Sequence, residues 1–167
     1  KVCSENFCPE YPRFSIPIIV MCLQFEVYCL ITSGDVVFLK NIPISNLKSF
    51  SRIIYISSTS VYQSGDVNES TIAEPMTKLG IRRLSIEKQW QNISDKTVII
   101  RSGGIYSNAN NILTKFLKGD HKIISKKNHF TNRIHIEDLA GIIFNIIKSK
   151  KIHGIINATD SFFIDNF

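Results

Sequence analysis

An open α/β fold, a parallel sheet with helices on its flanks, is what the sequence predicts, and three observations carry the prediction. Arg52–Ile56 and Thr97–Arg101 are short β-branched runs of the kind that form strands buried on both faces of a parallel sheet. Lys78–Ile93 and the stretch through Leu139, Ile142, Ile143, Ile146 and Ile147 repeat their apolar residues at helical spacing. Strand-like and helix-like segments alternate along the chain, which argues for a layered α/β sheet rather than a bundle.

Composition sets the bounds. A chain of 167 residues, 44% hydrophobic and 20% charged, has the material for one domain with a sizeable core. The net charge of +6 admits an anionic partner. Its lysines and arginines are scattered apart from Lys126-Lys127 and Lys148–Lys151, so a phosphate-bearing small molecule suits them better than nucleic acid. Cys3, Cys8, Cys22 and Cys29 form no C-x-x-C pair and have no histidine beside them, which reads as no metal site and as thiols suited to a reducing cytoplasm.

The elements follow in order. Residues 1–30 are poorly specified: Ile16–Ile31 is apolar, but Pro17, Gln24 and Glu26 interrupt it, and it is too short for a membrane span and wrongly flanked for a signal peptide. One or two strands over Pro17–Leu30 are the expectation, then a short element over Asp35–Leu39 and a connection over Asn41–Phe50 that brings Leu47 and Phe50 to the core. After the strand Arg52–Ile56, Ser57, Ser58, Thr59 and Ser60 place four hydroxyls where a strand end opens into a crevice. The same run also fits a turn satisfying its own backbone, and spacing does not choose between the two. Gln63–Thr77 is polar and reads as a long surface loop.

Lys78–Ile93 is predicted as a helix with Leu79, Ile86, Trp90 and Ile93 on one face and Leu84 beside them. Arg83 falls in that stripe. Either it snorkels to solvent or it points into the crevice at the strand ends, and the second reading is favoured. The strand Thr97–Arg101 runs into Gly103-Gly104, where a backbone can approach a ligand closely. Ile112–Lys118 reads as a short amphipathic helix stopped by Gly119, Lys122–Ser125 as a strand, Lys126–Asn132 as a polar loop, and Asn132–Asp138 as the entry to the next helix. Glu137 and Asp138 in its first turn and Lys148, Lys150 and Lys151 at its end complement its dipole. Ile155–Asn157 reads as the final strand.

Three ordered motifs, I-S-S-T-S-V-Y (Ile56–Tyr62), R-S-G-G-I-Y (Arg101–Tyr106) and N-R-I-H-I-E-D-L-A (Asn132–Ala140), resemble the extended short-chain dehydrogenase/reductases, the NAD-dependent epimerase/dehydratase superfamily, and its atypical bacterial members most. The resemblance covers about Ile31 to Asp160 and implies part of a Rossmann-like fold with part of a small substrate-binding region. It implies NAD or NADP as cofactor and a small-molecule substrate such as a nucleotide sugar, with no nucleic acid or membrane partner. Ser58 takes the position that hydrogen-bonds the reacting oxygen and Arg83 is the second catalytic candidate. Ser57, Gly103, Gly104 and Ile105 fall on the cofactor side. Thr59, Tyr62, Tyr106 and Arg133 fall on the substrate side.

Two departures stand beside those matches. Aligned through Glu87, the family's Y-x-x-x-K pair becomes Leu79 and Arg83; leucine has no ionisable proton, and arginine supplies only fixed positive charge. No G-x-G-x-x-G precedes Ser57, because Gly34 is the only glycine in the first 64 residues. The expectation is therefore residues 31–167 as the later part of such a domain, the glycine-rich half truncated or replaced. Three functions are open on this reading: a family enzyme, a non-catalytic binding or regulatory protein on the same scaffold, and an inactive remnant.

Overall fold

A computed structural model describes residues 29–33, 45, 47, 50–119, 130–149, 151–160 and 164–165. Four parallel strands make the main sheet: β1 (Cys29–Thr32), β2 (Arg52–Ser58), β3 (Thr97–Ser102) and β7 (Gly154–Ala158), in the order β1-β2-β3-β7. Ile54 lies opposite Val98, Ile56 opposite Ile100, and Arg101 opposite Asn157. Arg52–Ile56 and Thr97–Arg101 are thus hydrogen-bonded neighbours, as their composition predicts, and Ile54 and Ile99 are fully buried.

Alternation along each strand divides the core in two. Ile53, Tyr55 and Ile99 face α1 (Lys78–Ile93), where Ile86, Trp90 and Ile93 join Leu30 and Leu47. Ile54, Val98 and Ile100 face the other way, onto Leu139 and Ile146 of α3 (Ile136–Lys148), with Ile142, Ile143 and Ile147 packed against them. A sheet buried on both faces needs apolar residues at consecutive positions, which is why these strands read as continuous runs. Arg52 ties the strand base to the second layer, donating to the Ile146 carbonyl at 3.0 Å and the Ile152 carbonyl at 2.5 Å, where a cation also meets the negative end of α3. Thr77 caps α1 by accepting from the Gly80 N–H at 3.0 Å.

Beyond the main sheet, β4 (Gly104–Tyr106) pairs in parallel with β6 (Arg133–His135), and β5 (Phe130–Thr131) pairs antiparallel with β8 (Ile164–Asp165). The sequence reading needs correction here. Asn132–Asp138 is more than a helix entry, since β6 lies inside it; Phe130-Thr131 is strand rather than loop; and Ile155–Asn157 is followed by β8. Strands of two or three residues carry too few side chains to show a period.

Helix α2 (Ile112–Leu117) forms where expected, capped by Asn111; its apolar side, with Leu113, Phe116 and Leu117, is exposed among the described residues. Leu79 is a second correction. It is 61% exposed, so the packed stripe of α1 begins only at Ile86. The strands expected over Pro17–Leu30 are described only from Cys29 onward, and the elements expected over Asp35–Leu39 and Lys122–Ser125 lie outside the described residues.

Candidate functional site

The hydroxyl run after β2 divides its work. Ser57 is buried and donates from Oγ to the Glu87 carboxylate at 2.5 Å. Ser58 Oγ accepts from the Ser60 N–H at 3.2 Å and so caps the single 3-10 turn Thr59–Val61. The Thr59 carbonyl accepts from the Tyr62 N–H at 3.0 Å. Ser60 Oγ is buried without a hydrogen-bond partner, an arrangement that costs about 1–3 kcal/mol unless something else satisfies it. The turn reading therefore holds for Ser58, while Ser60 keeps an unspent hydroxyl.

Glu87 anchors a buried polar cluster that sequence reasoning used only as an alignment marker. From the inner face of α1 it accepts from Arg101 of β3 through Nη2 at 2.8 Å and Nε at 3.2 Å. Both side chains are almost wholly enclosed. Burial, the largest single influence, would lower the Arg101 pKa; the hydrogen bonding and charge of Glu87 together with Tyr62 outweigh it and hold the pKa above its ordinary value, so the guanidinium stays charged. The Tyr62 ring lies 4.7 Å from that guanidinium, and its hydroxyl donates to Asn157 Oδ1 at 2.9 Å. The signal in the sequence was an arginine ending an otherwise apolar buried strand, since such a charge requires a partner.

Arg83 is half-buried on α1 and donates to the Ser33 carbonyl at 3.3 Å and the Tyr55 hydroxyl at 3.4 Å, just past the carboxyl end of β1. It does not snorkel into open solvent. One turn earlier, Leu79 projects outward. Gly80, between them, lies buried against the Ser60 carbonyl, and a Cβ there would come within 2.8 Å of the Pro75 Cβ.

Gly103 has a packing function. A Cβ on Gly103 would meet the Asn132 carbonyl oxygen at 2.7 Å, and the two glycine N–H groups donate to the Ala158 and Asn132 carbonyls. The backbone that approaches closely here is the chain's own, at the entry to β6. That pairing sets Gly104 opposite Arg133 and Tyr106 opposite His135. Ile105, Tyr106 and Arg133, with Asn110, Asn111, Ile112 and Lys115, line a shallow concavity. Ser58, Thr59 and Arg83 are not part of it. Asp160 stands nearby: its carboxylate raises the Tyr106 phenol's pKa, and it accepts from the His135 backbone N–H at 3.4 Å. The Tyr106 and His135 rings meet edge to face at 5.1 Å. Among the described residues no cluster of His, Cys, Asp and Glu could hold a metal ion, and no helix is long and apolar enough to cross a membrane.

The parallel order β1-β2-β3-β7, with α1 and α3 on opposite faces and a small strand pair past the carboxyl end of β3, decides the classification. The fold is that of the NAD-dependent epimerases and dehydratases. A functionally unknown conserved protein from Silicibacter pomeroyi is 26% identical, with a TM-score of 0.70 over 80% of this chain and 52% of its own. The UDP-glucuronic acid 4-epimerase of Bacillus cereus, solved with UDP-glucuronic acid and NAD, is 21% identical, with a TM-score of 0.58 over 74% of this chain and 45% of its own. The dTDP-glucose 4,6-dehydratase of Bacillus anthracis, solved with NAD, is 13% identical, with a TM-score of 0.56 over 69% and 42%. The epimerase/dehydratase fold is thus matched over about half the length of those structures. No protein-family model and no curated protein matches the chain.

Proposed function

We propose that this chain is an epimerase/dehydratase-type protein, related to enzymes that modify nucleotide sugars, in which the acid/base chemistry has been lost. One observation carries the reading: at the place of the family's tyrosine stands Leu79, which points outward, while Arg83 is tied to Ser33 and Tyr55. The phenols that could substitute are occupied. Tyr62 donates to Asn157, and the Asp160 carboxylate raises the Tyr106 pKa, which makes that phenol a poorer acid near neutrality. Losing a positioned acid/base costs about 10²–10⁴ in rate.

On this reading Ser58 and Arg83 are what remains of the catalytic site. Ser57, Gly103, Gly104 and Ile105 border the cofactor side, and Thr59, Tyr62, Tyr106 and Arg133 the substrate side, where Lys115 adds a second cation to the concavity. The cofactor class is NAD or NADP by resemblance, in line with neighbouring structures solved with NAD or NADPH. The residues present fit it poorly. The 167 residues contain no G-x-G-x-x-G, and the Gly103 and Gly104 amides donate to the chain's own carbonyls. A binding role without turnover is the second reading. The Lys115–Arg133 concavity favours it, because two cations beside amides and a phenol suit a phosphorylated small molecule.

Calorimetric titration of the purified chain with NAD, NADP and UDP-glucose tests both readings. The expected result is no micromolar binding of either dinucleotide and no turnover. Micromolar binding of NAD or NADP would overturn the defective-site reading, and binding of UDP-glucose alone would select the binding role.

A further inference from the structure

The loop after Tyr62 is built as an object in its own right. Its base is closed by Gln63 Nε2 donating to Glu74 Oε2 at 3.1 Å. Its tip is organised by Asn68, whose Oδ1 accepts from the Ser70 N–H at 3.0 Å and whose N–H donates to Thr71 Oγ1 at 3.0 Å. Between them Gly65 takes a φ of +136°, open to a residue without a side chain. The tip then reaches across the sheet: Glu69 Oε1 accepts from the Asn157 N–H of β7 at 3.0 Å. That N–H points away from β3 on the last strand of the sheet. A second fastening lies beneath, where Tyr62, only 7% exposed, stacks on Arg101 and bonds Asn157 Oδ1.

We propose that residues 62–77 form a latched strap: closed, it covers the carboxyl end of β3 and the outer edge of β7, and release of Glu69 from Asn157 opens both. The two fastenings are unequal. The Tyr62 hydroxyl, within reach of both Asn157 Oδ1 and the Asn68 carbonyl, is part-buried, whereas the Glu69–Asn157 bond is exposed, so water competes for it and the tip opens first. Opening from the tip lifts the phenol off Arg101 and admits a ligand at the strand end. The closed latch also occupies an edge N–H that would otherwise be open to strand addition. This proposal is independent of which ligand the protein takes.

Hydrogen exchange by mass spectrometry on the full chain, with tyrosine nitration as a second measure, tests the latch. Glu69→Ala is expected to speed exchange in residues 63–77 and at Asn157 by about tenfold, the equivalent of one charge-assisted hydrogen bond, and to raise nitration of Tyr62. Exchange in β2 and β3 should stay unchanged. Glu69→Gln, which keeps an acceptor oxygen, should retain most of the protection. Unchanged exchange in 63–77, or an equal rise throughout β2 and β3, would overturn the proposal.

Discussion

Ser60 is the residue whose behaviour is hardest to guess from its neighbours. In a run of four hydroxylated residues it alone has a buried hydroxyl without a partner. Removing such a group should not weaken the protein: Ser60→Ala is expected to be neutral or to add about 1 kcal/mol in a urea titration. A clear loss would mean the hydroxyl is satisfied in solution. Glu87 is the opposite case. Glu87→Ala leaves Arg101 charged and enclosed, which is expected to cost about 3–5 kcal/mol, measured by the same titration. At Tyr106 the test is spectroscopic. Its pKa is raised, chiefly by the hydrogen bond to Asp160, so its contribution is complete below the unfolded tyrosine value and is lost as pH rises through the folded one. A phenolate titration should lose a late-ionising component in Tyr106→Phe.

At the scale of elements, the two long strands and the two long helices were legible because each has enough residues to show its period. Arg52–Ile56, Thr97–Arg101 and Lys78–Ile93 all form where composition and spacing put them. Leu79 was misread because a helical stripe says which residues share a face, not how far the neighbouring sheet extends beneath it. The Gly80 side of the first turn of α1 is packed, and Leu79 beside it is exposed. That exposure makes a further prediction: Leu79→Tyr should change stability by no more than about 0.5 kcal/mol in chemical denaturation. The concavity was legible only in part. Ile105, Tyr106 and Arg133 were candidates, but the β4–β6 pairing that joins them comes from strands of three residues, and Lys115 carried no signal at all. Asp160 was invisible for the same reason, since only folding brings it to Tyr106 and His135.

For the whole molecule, the two cores share one sheet. Ile53 and Ile54 are successive residues of one strand, one in each core, so neither layer can leave without exposing the other's support. The expected outcome of differential scanning calorimetry is one cooperative transition in which Trp90→Ala, on the α1 side, and Ile146→Ala, on the α3 side, each lower the same melting temperature by an amount matching about 2–5 kcal/mol. Absence of a cooperative transition would favour the inactive-remnant reading of the sequence over the scaffold reading.

Gly80 carries a consequence for all of this. Because its missing methyl lets the Ser60 carbonyl and Pro75 press against α1, one hydrogen atom acts as the shim that sets the height of the helix above the strand ends. Arg83 and Glu87 stand one and two turns further along the same rod, with reaches of 3.3 Å to Ser33 and 2.8 Å to Arg101. Thickening the shim by a methyl would tilt the rod and lengthen both reaches together, although neither touches residue 80. Alanine there, favourable by helix propensity, would detune two distant hydrogen bonds at once.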